Sequence, residues 1–170
     1  MNVRILLLLL LALAPPAFAQ GFAGLGSEAQ GFAVPQRGTP LSFPRDHGAH
    51  PTYRIEWWYL TANLEAADGT DYGAQWTLFR SALAPAEKEG WASPQLWMGH
   101  AAVTSKERHH SAERLARGGI GQAGVRLTPF AATIDDWSMT SRAAPGTDEI
   151  SAVDIRAAGE GFSLRSKHRA

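Results

Sequence analysis

The sequence contains no cysteine. No disulfide can staple the fold, and thiolate nucleophiles and cysteine metal ligands are excluded. Neither charge sign is in surplus, since 16 Lys and Arg face 16 Asp and Glu. A chain without a basic excess lacks the electrostatic footprint of a nucleic-acid binder or of a protein held on an anionic surface. Long apolar runs are also missing. The run Ile5 to Ala14 is shorter than the ~20 residues a membrane-spanning helix needs, and no later segment is apolar enough.

That short run sits in an ordered N-terminal pattern. Arg4 supplies a positive charge, the leucine-rich stretch follows, and Ala17-Phe18-Ala19 presents small residues where a signal peptidase reads. Residues 1–19 therefore read as a cleavable secretory signal, with Gln20 as the first mature residue. Loss of Arg4 leaves 15 basic against 16 acidic residues. With no cysteine after the cleavage site, lipid acylation there is excluded. The expected location is periplasmic or secreted. An exported domain without disulfides depends on its core, and 45% hydrophobic residues with six tryptophans make one feasible.

Residues 20–40 are rich in Gly, Ala, Gln and Ser without sustained periodicity and read as a flexible lead-in. Tyr53 to Leu64, YRIEWWYLTANL, is dense in strand-favouring aromatic and β-branched residues. Both of its faces carry large apolar groups, which predicts a strand covered on both sides. Asp68-Gly69 predicts a hairpin turn, with Tyr72 to Ala82 as the return strand. Gln95 to Ser105 reads as a third strand. Arg108 to Arg117 reads as one or two helical turns, with His109-His110 as a solvated loop pair, and Gly118 to Gly124 as a loop. Phe130 to Ile134 and Trp137 to Ser141 predict a hairpin about Asp135-Asp136. Glu149 to Ala157 and Gly161 to Ser166 alternate like two more strands. The expected fold is all-β, an antiparallel β-meander barrel or sandwich. Its last strand, close to Ala170, would lack a partner, which suggests an incomplete domain over 41–170.

At Phe43 to Tyr59, FPRDHGAHPTYRIEWWY, the chain resembles a secreted lipocalin-like family. That family groups hydroxyneurosporene synthase (carotenoid 1,2-hydratase, CrtC) with AttH-type secreted hydrolases. The likeness continues through Asp68 to Arg80, Leu96 to Ser105 and the tryptophan of Ile134 to Met139. The resemblance implies the first of two consecutive lipocalin-like domains and an apolar ligand, isoprenoid or lipid-like. It implies hydratase-type activity for an intact protein. The alternative it offers is a non-enzymatic lipid-binding accessory of an envelope ABC-transport system.

The residues themselves offer a polar set: His47, His50, Glu56 and His100. Glu56 lies in an aromatic strand, where a carboxyl group suits a general acid. Hydrating an isolated C=C bond passes through a carbocation-like state, which aromatic faces stabilise. Glu56 and His100 are thus the candidate catalytic groups, with His50, Trp57, Tyr59 and Trp76 as candidate ligand wall. The plainer reading makes Glu56 a structural acid paired with Arg54, Arg80 or a histidine. A metal site from His47, His50, His100 and Asp46 or Glu56 lacks a further clustered ligand, so no metal is expected. Gly119 to Gly124 matches G-x-G-x-x-G, but without the strand before and helix after that dinucleotide binding needs, so no cofactor is expected. No serine sits in a G-x-S-x-G elbow, so a hydrolase nucleophile finds no support.

Overall fold

The computed structural model describes residues 30–144 and 147–169, with side chains to residue 165. The signal segment 1–19 lies outside the described residues. Nine strands follow in order: β1 (Ile55–Glu65), β2 (Asp71–Ala82), β3 (Gln95–Ser105), β4 (His109–Arg117), β5 (Ala123–Arg126), β6 (Ala131–Ile134), β7 (Trp137–Ser141), β8 (Ala152–Gly159) and β9 (Phe162–Arg169). They form two antiparallel sheets, β1-β2-β3-β4 and β5-β6-β7-β8-β9. No ladder joins one sheet to the other among the described residues, so the all-β fold is an open sandwich rather than a closed barrel.

The first hairpin follows directly from its turn. Counting outward from Asp68, Leu64 pairs with Tyr72 and Glu56 with Arg80. Strand pleating then sorts the side chains. Trp58, Leu60, Trp76, Leu78, Trp97 and Ala101 face inward, where they meet Ile134, Trp137, Met139, Val153 and Ile155 of the second sheet. Trp76 and Trp137 are fully buried. Burial of such side chains, at roughly 25 cal/mol per Å² of apolar area, supplies what disulfides cannot.

Two expectations are corrected. Arg108 to Arg117 is not helical, and His109-His110 is not a loop pair. Both histidines open β4, which pairs with β3 from Leu96–Arg117 to Thr104–His109. Its alternate residues Ala112 and Ala116 pack on the core, and the Arg114 guanidinium lies 4.7 Å over the Trp137 ring. Period-two burial thus overrides the helix propensity of the run Ala-Glu-Arg-Leu-Ala. Secondly, β1 is covered on one face only. Trp57 and Tyr59 on the other face are 56% and 62% exposed.

The glycine motif has a structural explanation. Gly119 has φ +78, and a Cβ there would fall 2.4 Å from the Gly90 carbonyl oxygen. The chain needs glycine to turn between β4 and β5 against that backbone, and a strand follows, not a helix.

Gly99 faces inward at the closest approach of the sheets. A Cβ there would lie 2.8 Å from Ile134 Cγ2 and 3.2 Å from the Trp137 ring. Gly99→Ala is therefore expected to cost about 1–3 kcal/mol through overpacking. Gly124→Ala, where nothing lies within 4 Å, is expected to stay within about 0.5 kcal/mol. Urea midpoints compare the two, and equal midpoints would refute the close-approach argument.

Candidate functional site

The segment before β1 is held in place by its own Asp46 and by Trp58 and Arg80 of the first sheet. A 3-10 turn over Arg45–His47 follows Pro44. Asp46 closes it, since its Oδ2 accepts the Ser42 N–H at 2.6 Å and its Oδ1 accepts from Arg45 Nε at 2.9 Å. The Arg45 guanidinium and then the Ser42 N–H hold the Asp46 carboxyl well below the usual carboxylate range, with a smaller contribution from His50. Trp58 reaches back from β1, donating from Nε1 to the His47 carbonyl at 2.9 Å, and stacks on Trp97.

Arg80 is the third and most engaged group. Its guanidinium is buried and all its donating nitrogens are used. Nε donates to Glu56 Oε2 at 2.8 Å and Nη1 to Gln95 Oε1 at 2.7 Å. Nη2 donates to the carbonyls of His50 at 2.9 Å and Tyr53 at 2.7 Å. Glu56 in turn accepts the His50 backbone N–H on both oxygens at 2.8 Å, and its Oε1 lies 2.6 Å from His50 Nδ1. The plainer reading of Glu56, an acid partnered by Arg80 and a histidine, describes this geometry. A carboxylate only accepts, so His50 Nδ1 carries the proton of that bond. His50 Nε2 lies 3.3 Å from Asp46 Oδ1, a longer contact with a second carboxylate, so a further group would share this nitrogen with Asp46. The ring is 34% exposed.

These residues rim a cleft of about 680 Å³ between β1 and the second sheet. One end is polar: Asp46, His47, His50, Glu56 and Asp148. The rest is mainly apolar, built from Trp58, Leu60, Phe130, Met139, Ile150 and Val153, with Ser151 beside them. Two contacts fix the far wall. His47 Nε2 lies 3.1 Å from Asp148 Oδ1, tying the two walls at the polar end. The buried Glu149 accepts the Phe130 N–H at 2.6 Å and so sets Phe130 at the cleft.

The expected site residues are thus divided. His50 and Glu56 meet at the polar end, while Trp57 and Tyr59 contribute to the rim. Trp76 is buried in the core and does not line the cleft. His100 lies on the opposite face of the first sheet from Glu56, edge-on to Phe79 and in the row of Tyr59 and Thr77. Among the described residues no group of three His, Asp or Glu is placed to hold a metal ion. Sequence reasoning missed Trp58 as cleft wall and the whole contribution of Phe130, Met139, Asp148 and Val153. Trp58 was findable, because it shares the alternating face of Glu56. The others depend on how the two sheets dock.

No curated protein matches the chain. A crystal structure of a presumptive AttH from Nitrosomonas europaea is similar to it, at 30% identity and TM-score 0.61. The match covers 79% of this chain but 39% of that one, so this chain spans well under half the length of that protein. The model of the AttH-like family matches residues 34–169, which contain all of the described strands. With that match and the lipocalin-like sheet arrangement together, the chain belongs to the AttH-like family.

Proposed function

We propose that the protein is an exported lipocalin-like binder that holds an apolar ligand, isoprenoid or lipid-like, in the cleft beside β1. The observation that carries this reading is the division of the cleft. An apolar wall runs from Trp58 and Leu60 to Met139 and Val153, and a single polar end carries the half-exposed His50. Such a shape suits a hydrocarbon body with one hydroxyl or carbonyl head. The N-terminal signal pattern supports a periplasmic or secreted site of action.

The same geometry favours binding over hydration led by Glu56. Both Glu56 oxygens accept bonds from His50 or Arg80, so the group is better suited to orienting His50 than to delivering a proton. Hydratase-type chemistry in a longer protein would draw its proton from His50 instead. An accessory role beside an envelope ABC transporter uses the cleft in the same way, as a carrier site.

Titration with farnesol, followed by tryptophan fluorescence, tests the reading. Saturable binding is expected, with Trp58 as reporter. His50→Ala is expected to weaken farnesol about tenfold, the equivalent of one hydrogen bond. The affinity for the parent hydrocarbon, farnesene, is expected to be unchanged. No saturable signal from the native chain with either compound would refute the proposal.

A further inference from the structure

Strand β1 is an outer strand of the first sheet, and its register shows which of its backbone groups are left over. The Ala82 N–H donates to the Arg54 carbonyl, and the Ala66 N–H to the Thr70 carbonyl. Arg54 opposite Ala82 and Ala66 opposite Thr70 are therefore hydrogen-bonded pairs. By alternation Glu56, Trp58, Leu60, Ala62 and Leu64 also bond to β2. The N–H and C=O groups of Trp57, Tyr59, Thr61 and Asn63 then point away from β2. Those of Trp57 and Tyr59 meet no partner among the described residues.

This row of groups opens into the cleft. Five consecutive residues, Glu56 to Leu60, border it. Neighbouring side chains of a strand point to opposite faces, so only the edge of β1 presents all five to one space. Across that space stand Phe130, Met139, Ile150 and Val153. The other outer strands are guarded, as the sheet edges of soluble proteins are. β4 carries Glu113, Arg114 and Arg117, the four-residue β5 carries Gly124 and Arg126, and β9 carries Arg165. From Trp57 to Leu64, β1 has no charged residue, no proline and no glycine.

We propose that the edge of β1 binds an extended polypeptide segment of a partner protein as an additional antiparallel strand. Donors and acceptors that recur about every 7 Å along a strand edge are complemented over their length by another extended backbone. Directly opposite residues of an antiparallel pair share a face. Segment residues opposite Trp57 and Tyr59 therefore lie on the outer face, supply the N–H and C=O groups of the new ladder, and can be polar. The residues between them point inward, toward Trp58, Leu60, Met139 and Val153, and are apolar. The segment so defined alternates apolar with small hydroxyl-bearing residues. This inference stands on the free backbone of β1, independently of any lipid-like ligand in the cleft.

The probe is a short fluorescein-labelled peptide of threonine alternating with valine, added to the full chain and followed by anisotropy. Saturable binding in the micromolar range is expected. Methylating the amide nitrogens of the threonines, which face β1, is expected to weaken binding about tenfold or more through lost hydrogen bonds. Methylating those of the valines, which face away, is expected to change it by less than about twofold. Tyr59→Pro deletes one outward N–H and none that bonds to β2, a change an edge strand accepts. It is expected to weaken the unmethylated probe about five- to tenfold. Hydrogen exchange on the native chain checks the same point without a variant. The Trp57 and Tyr59 amides are expected to exchange fast in the free chain and slowly with the probe bound. No binding at about 1 mM probe overturns the proposal. So do equal or reversed effects of the two methylations, which would mark apolar contact without the ladder, or native affinity in folded Tyr59→Pro. Trp57 and Tyr59 amides already protected in the free chain, as edge-to-edge pairing of two copies would make them, overturn it as well.

Discussion

Replacing Arg80 with methionine is expected to destabilise the fold by about 3–5 kcal/mol. The side chain is 2% exposed, so its charge is tolerated only through its partners. Methionine fills much of the volume but makes none of the bonds. Glu56 would keep a largely buried carboxylate with its guanidinium gone. The carbonyls of His50 and Tyr53 and the Gln95 side-chain oxygen would each lose a donor. Leaving such groups unpaired costs more than the intact bonds contribute, because desolvation is no longer offset. The double variant Arg80→Met, Glu56→Gln removes the orphaned charge and is expected to recover part of the loss. Urea denaturation of the two single variants and the double closes a cycle. A single-variant loss below about 1 kcal/mol, or strict additivity in the double, would show that the pair does not act as a unit.

Trp137→Ala is expected to cost about 3–5 kcal/mol, through a cavity at the centre of the sandwich. The indole is fully buried, its Nε1 donates to the Ala158 carbonyl at 3.1 Å, and Arg114 caps its face. Gly99 leaves the space its edge occupies. Trp137→Phe keeps part of the packing and loses the hydrogen bond, so a smaller cost of about 1–2 kcal/mol is expected. Trp91→Ala is the control, since that indole is 73% exposed and a surface change stays within about 0.5 kcal/mol. Thermal unfolding of the three variants ranks them. A melt of Trp137→Ala no lower than that of Trp91→Ala would contradict the assignment of Trp137 to the core.

The legibility of the sequence followed the strength of local patterns. Tyr53 to Ala82 announced a hairpin because aromatic alternation and an Asp-Gly turn agree, and the register of that turn already set Glu56 opposite Arg80. The third strand matched its reading from Gln95 to Ser105. β4 differs from its helical reading because Ala112 to Arg117 is a run of good helix formers. Only its pairing with β3 and its burial of Ala112 and Ala116 make it a strand. The candidate site divided along the same line. His50 and Glu56 are six residues apart, and their meeting is a local event. The apolar wall is not local. Phe130, Met139 and Val153 reach the cleft only once two sheets have packed, and nothing in their own neighbourhood in sequence says so. Nor does alternation say which face of β1 is covered, since Trp57 and Trp58 are the same residue type on opposite sides.

Each ladder in the structure joins strands that follow one another in the chain. No strand has to wait for a distant segment before it finds its hydrogen-bonding neighbour. Most of the loops to be closed are short, so the entropic barrier to those pairings is small. A chain delivered N-terminus first can therefore finish the sheet from β1 to β4 before β5 arrives. The second sheet then adds strand by strand against an inner face already displaying Trp58, Trp76 and Trp97. In this order the cleft beside β1 is complete only when β8, which carries Val153, has joined the second sheet.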